Sequence, residues 1–168
     1  MDLCSVCQKM GCKQGRQDLM PKQCPSFQPL VNDVAKNYQD EETWHFMQVA
    51  SQVEKQGYTN MVRIEKMLTF IQQMGYRKVG FAFCCGLKKE MEELHRIFSG
   101  RGFELHSINC KCGGLSKDNL GERELYWNDP TAQEPGCETM CNPIGQAHYL
   151  AQCGTEFNIV VGLCVGHD

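Results

Sequence analysis

The chain has 168 residues, 17 of them basic and 20 acidic, for a formal net charge of −3. Hydrophobic residues make up 42% and charged residues 22%, the balance of a globular protein with one real core and a small appendage. No basic excess exists to argue for nucleic acid or an anionic membrane surface, and no apolar run approaches the roughly 18 residues of a membrane span.

Residues 1–30 show neither a helical nor a strand period. They contain Cys4, Cys7, Cys12 and Cys24, the last followed by Pro25. A segment this short and polar cannot fold around an apolar core. Four thiolates on one zinc ion or one 4Fe-4S cluster would order it. Lys9, Lys13, Arg16 and Lys22 would offset the negative charge such a site carries. The expectation is a metal knuckle over 1–30 and a second domain over 31–168.

Trp44, Met47, Ala50 and Val53 recur at helical spacing, so a helix is expected over 40–56. A second is expected over 60–74, with Met61, Ile64, Leu68 and Ile71 on its stripe and Thr59 as its cap. Residues 78–83 alternate Val79, Phe81 and Phe83 with Gly80 and Ala82, which suits a strand covered on both faces. The turn at Cys84-Cys85-Gly86 leads into a helix carrying Leu87, Met91, Leu94 and Phe98, and a strand follows over 103–108. Strand, helix and strand in so short a span make a βαβ unit with parallel strands.

Residues 113–136 are polar and read as a lid or covering loop. Asn142-Pro143 opens a last helix, for which Ile144, Ala147, His148 and Ala151 are expected to face inward. A third strand, apolar on both faces, is expected over 157–165. The fold class is therefore α/β: a three-layer domain with a small parallel, Rossmann-like sheet, preceded by the cysteine knuckle. The stop at Asp168, directly after a buried strand, suggests a fragment.

On this map the remaining cysteines gather. Cys84 and Cys85 follow the first strand, Cys110 and Cys112 the second; Cys164 ends the third, and Cys141 precedes a helix N-terminus. Ligands of open parallel sheets bind at the carboxyl ends of the strands. A second site is thus expected from Cys84, Cys110, Cys141 and Cys164, with His167 nearby. Cys137 and Cys153 have no such placement. No secretion signal opens Met1–Met10, so the expected compartment is the cytoplasm, where cysteines serve metals or chemistry rather than structural disulfides. Dinucleotide, P-loop and hydrolase-elbow motifs are absent from the sequence.

Several blocks resemble an uncharacterised family of cysteine-rich metal-binding proteins from anaerobic bacteria and archaea. They are Cys4-Ser-Val-Cys7 with Cys12 and Cys24-Pro25, Gly80-Phe-Ala-Phe-Cys84 with Gly86-Leu87, Cys110, Cys141-Asn-Pro-Ile-Gly-Gln-Ala147, and Gly162-Leu-Cys-Val-Gly-His-Asp168. The resemblance implies eight shared cysteines: Cys4, Cys7, Cys12, Cys24, Cys84, Cys110, Cys141 and Cys164. It also implies a chain that continues past the last block. Cys85, Cys112, Cys137 and Cys153 fall outside the pattern. It supplies no reaction.

Three readings remain at this point. One is a metal-binding protein with two four-cysteine sites, zinc or iron–sulfur, suited to redox or sulfur chemistry. Another is an enzyme with a nucleophilic or sulfur-carrying Cys84 or Cys141 and His167 as base. The last is a zinc-stabilised module for protein interaction.

Overall fold

A computed structural model describes residues 4–117 and 138–167. Most of the expected covering loop, together with Cys137, lies outside the described residues. The chain forms two compact units, 1–60 and 61–168.

The first unit begins as a series of short 3-10 turns at Cys4–Val6, Gly11–Gln14, Gln17–Leu19 and Pro25–Phe27. Prolines and glycines permit little else. Gly11 is buried where the chain doubles back, and a Cβ there would stand 2.7 Å from the Arg16 carbonyl oxygen. The short helix α1 (Pro29–Asp33) and a further 3-10 stretch, Val34–Gln39, lead to α2 (Glu41–Gly57). Asp40 caps α2 by accepting from the Thr43 N–H at 2.9 Å. Val49 and Val53 are buried on α2, while Trp44, expected on the same face, is 47% exposed.

The second unit opens with α3 (Arg63–Gln73). Its start is capped by Glu65, whose carboxylate accepts the Val62 N–H at 2.9 Å. The expected cap, Thr59, instead bonds the neighbouring Asn60 side chain. Then come β1 (Lys78–Phe83), α4 (Lys88–Ser99), β2 (Glu104–Asn109), α5 (Pro143–Gln152) and β3 (Phe157–Val161). The sheet order is β2-β1-β3, with both pairings parallel.

Register assigns the layers. Val79, Phe81, Leu105, Phe157 and Ile159 share one face of the sheet. On that face Phe81 meets Phe98 of α4 edge-on at 5.1 Å between ring centroids, and Phe157 meets Phe70 of α3 at 5.7 Å. Gly80 looks to the other face, where a Cβ would lie 3.1 Å from Leu150 of α5. Helices therefore cover both faces, as expected for a three-layer α/β domain. Phe81, Phe98, Val79 and Ile71 are fully buried between α3, α4 and the sheet.

Two further expectations fail in detail. On α5 the inward residues are Gln146 and Leu150, whereas Ile144 is 72% exposed, and Ala147, His148 and Ala151 face out. The helix is turned so that Gln146 can donate from Nε2 to the carbonyls of Ile108 at 2.9 Å and Phe83 at 3.3 Å. These carbonyls sit at the ends of β2 and β1, and an amide is the side chain that meets both. The third strand is also shorter than expected. Gly162 adopts φ 56 and turns the chain away after Val161. Val160 is 54% exposed because α5 packs on β1 and β2 rather than over β3.

A carboxylate clasps the opposite end of the sheet. Glu156 Oε2 accepts from the backbone N–H groups of Arg77 at 2.7 Å and Lys78 at 2.8 Å. The Lys78 and Arg77 amides hold its carboxyl below the usual value of 4.5. A carboxyl lowered in the folded state contributes stability that is present above its ordinary value and lost as pH falls through the folded one. Glu156→Gln should therefore flatten the acid limb of a stability-versus-pH curve measured by denaturant unfolding and leave the neutral-to-alkaline slope unchanged. Phe98→Ala should lower unfolding free energy by about 3–5 kcal/mol, read from the denaturant midpoint, because it empties the space against Phe81 and Phe103.

Candidate metal-binding sites

In the first unit the turn at Cys4–Val6 closes with the Cys7 N–H donating to the Cys4 carbonyl at 3.1 Å. Met10 follows in the left-handed region, φ 48, uncommon for a residue with a side chain. The bend turns backbone N–H groups of Met10 and Lys9 toward Cys7, and they draw its thiol below the ordinary value. Cys12 lies within the next turn, Gly11–Gln14. Cys24 is placed by its N–H bond to the Pro21 carbonyl at 2.9 Å. All four cysteines line one cavity of about 290 Å³, together with Lys9, Met10, Pro21 and Pro25. No three of their sulfurs lie within 4.8 Å of one another.

In the second unit, parallel register does the positioning. Phe83 pairs with Asn109 and with Val161, so the next residues on β1 and β2 are Cys84 and Cys110, level with each other. The Cys110 N–H donates to the Phe83 carbonyl at 2.8 Å and the Cys84 N–H to the Val161 carbonyl at 3.1 Å. Cys84 is still extended, φ −71 and ψ 133, and Cys85 starts the 3-10 turn into α4. That corner lets two consecutive side chains reach the same space. The Cys85 N–H donates to Cys110 Sγ at 3.4 Å. The sulfurs of Cys84, Cys85 and Cys110 all lie within 4.8 Å of one another, and among the described residues no other trio of ligand atoms does so. Cys110 is 2% exposed, Cys84 is half-buried and Cys85 is exposed, so the trio runs from the core to the surface.

Of the four thiols expected here, the structure brings Cys84 and Cys110 together, with Cys85 beside them. Cys141 stands close by along the backbone, since the Asn142 N–H donates to the Cys110 carbonyl at 2.7 Å. Cys164 lies beyond the Gly162 turn and is exposed. Cys112 is directed to the Asn142 carbonyl at 3.5 Å. His167 has a buried Nδ1 with no hydrogen-bond partner among the described residues. The signal that could have found Cys85 was its position beside Cys84 at a strand-to-helix corner.

The electrostatics of the two sites differ. Burial raises the Cys85 thiol, and the negative charges that Cys110 and Cys84 would carry raise it further, with Lys111 opposing. Burial also raises Cys112. Three thiolates so close repel one another unless a proton or a cation sits among them.

The chain is similar to the family described as protein of unknown function (DUF1847), which matches residues 23–168. It is 36% identical over 165 residues to an uncharacterized protein of Methanocaldococcus jannaschii, a match covering 98% of this chain and 77% of that one. No solved structure matches. Among the described residues no helix is long and apolar enough to cross a membrane.

Metal-stripped protein should show the difference between the sites in thiol reactivity. At mildly alkaline pH, Cys7 should be alkylated by iodoacetamide faster than Cys85, although Cys85 is the more exposed, because only thiolate attacks. Peptide mass spectrometry over a time course checks this; the reverse order would mean that access rather than ionisation sets the rate.

Proposed function

The chain belongs to this family of proteins of unknown function, and from its thiol geometry we propose that it is a metal-binding protein with two cysteine sites. The observation that carries the reading is the convergence of Cys84, Cys85 and Cys110 at the carboxyl edge of a parallel sheet. In such folds that edge is where ligands bind, and grouped thiolates are the donors that zinc and iron take up.

The first site is the knuckle of Cys4, Cys7, Cys12 and Cys24. The shared cavity and the amides aimed at Cys7 support it, since N–H groups directed at sulfur stabilise the thiolate a metal requires. The second is built on Cys84 and Cys110, with Cys141 and Cys164 flanking the same edge. Zinc and a 4Fe-4S cluster both suit a four-thiolate knuckle. Lys9 beside the first site and Lys111 beside the second reduce the net negative charge of a metal–thiolate group. Free thiols in these numbers fit the reducing cytoplasm.

Protein purified without oxygen and without chelator should carry metal, measured by elemental analysis. Iron with acid-labile sulfide and a brown colour would identify a cluster, and colourless protein with zinc a mononuclear site. Replacing Cys4, Cys7, Cys12 and Cys24 together with Ser should remove the knuckle metal while the far-ultraviolet dichroism of the sheet unit persists. Correctly folded wild-type protein that takes up neither zinc nor iron would end the proposal.

A further inference from the structure

We propose that the sheet-edge site holds one thiophilic metal ion on three thiolates, Cys84, Cys85 and Cys110, and leaves a fourth position open to a ligand from solution. This rests on the metal-binding reading of the same edge. It goes further in naming the ligands, the nuclearity and the open position.

Distances decide the nuclearity. A thiolate binds zinc at about 2.3 Å, so two sulfurs on one ion can stand no further apart than about twice that, ~4.6 Å. The three sulfurs here are all within 4.8 Å of one another, which small rotations about the side-chain bonds bring into range. On a four-iron cube each cysteine binds a different iron at a different corner, so its thiolates must stand wider apart than those on one ion. Cys84 and Cys85 are consecutive in sequence, and that constraint favours a shared ion over two corners of a cube.

The frame is already rigid. Cys110 is fixed through its N–H to Phe83 and through its carbonyl to the Asn142 N–H, Cys84 through its N–H to Val161. Gln146 ties the preceding turns of β1 and β2 together through the Phe83 and Ile108 carbonyls. Ligands held by packed strands and one helix lose little freedom when an ion enters.

The open position follows from what surrounds the trio. Among the described residues no fourth Cys, His, Asp or Glu places a ligand atom within 4.8 Å of all three sulfurs. Cys112 is engaged with the Asn142 carbonyl, and Cys164 lies beyond the Gly162 turn and is exposed. Cys85 is exposed, so the side of the ion nearest it faces solvent. A tetrahedral ion with three protein ligands keeps a site for water or substrate, the arrangement of catalytic rather than structural zinc. The ligand class such a position takes is a small soft donor, a thiol above all. Binding replaces the ion's water with the ligand's thiolate sulfur, and the thiol proton passes to solvent.

Cobalt(II) is the probe, because its spectrum reports thiolate ligands and coordination number. The full wild-type chain, stripped of metal and titrated anaerobically, should take up cobalt at the knuckle and at the sheet edge. Cys85→Ser changes an exposed position and should leave the fold intact by circular dichroism. It should lower cobalt uptake by one ion per chain. Cys164→Ser and Cys141→Ser should leave uptake unchanged. A small thiol such as 2-mercaptoethanol should intensify the sulfur-to-cobalt absorption of wild type and not of Cys85→Ser. If Cys85→Ser keeps its full complement while Cys141→Ser or Cys164→Ser loses an ion, the ligand assignment is wrong and the metal-binding reading stands. Acid-labile sulfide that disappears with Cys84→Ser would overturn the single ion in favour of a cluster. Wild-type protein that binds metal at the knuckle alone would end both the trithiolate and the sheet-edge site beneath it.

Discussion

Parallel pairing of β1 with both of its neighbours is the constraint on which the second unit depends. The pairing is in step, so Phe83 stands level with Asn109 and Val161. Every residue that follows a strand therefore emerges at one edge. The apolar residues of β1 keep the pairing in place, because Val79 and Phe81 are fully buried and any slip by one residue would turn them to the opposite face. The grouping of thiols at the edge is a consequence of packing in the middle.

Gln146 links the two levels. A polar side chain 1% exposed is costly unless its groups are paired. Its Nε2 meets two strand carbonyls at the ends of β1 and β2, one or two residues before Cys84 and Cys110, while its Oε1 has no partner among the described residues. The same glutamine thus anchors α5 to the sheet and sets the spacing of the strand ends from which the thiols project. Asn142, at the start of that helix, caps it through Gly145 at 2.8 Å and sends its own N–H to the Cys110 carbonyl. The Cys-Asn-Pro-Ile-Gly-Gln block is in this sense a bracket for the edge that carries the thiols.

The first unit is ordered by other means. Its opening residues bury Gly11 but no large apolar side chain before α2 among the described residues. Turns closed by single backbone bonds hold the four cysteines around one cavity, and binding energy from metal is the term that would make such a segment stable. The contrast explains why three thiols of the second unit lie close together while the four cysteines of the first are spread around one cavity.

How much could be read beforehand follows from which interactions are local. The βαβ unit was legible because Gly80 and Ala82 between Val79, Phe81 and Phe83 mark a strand covered on both sides, and Asn142-Pro143 marks a helix start through its own cap. The edge position of Cys84 and Cys110 was likewise legible, since residues after parallel strands share an edge. Three things were decided only in the tertiary structure. The inward face of α5 went to Gln146 because two carbonyls from separate strands needed a donor, which no periodicity of α5 itself records. β3 stopped at Val161 because Gly162 takes a positive φ where Leu87 leaves no room for a Cβ. Cys85 entered because the corner between an extended residue and a 3-10 turn points neighbouring side chains into one space. Sequence settles what each segment prefers alone; which thiols meet depends on distances between segments, and only packing sets those.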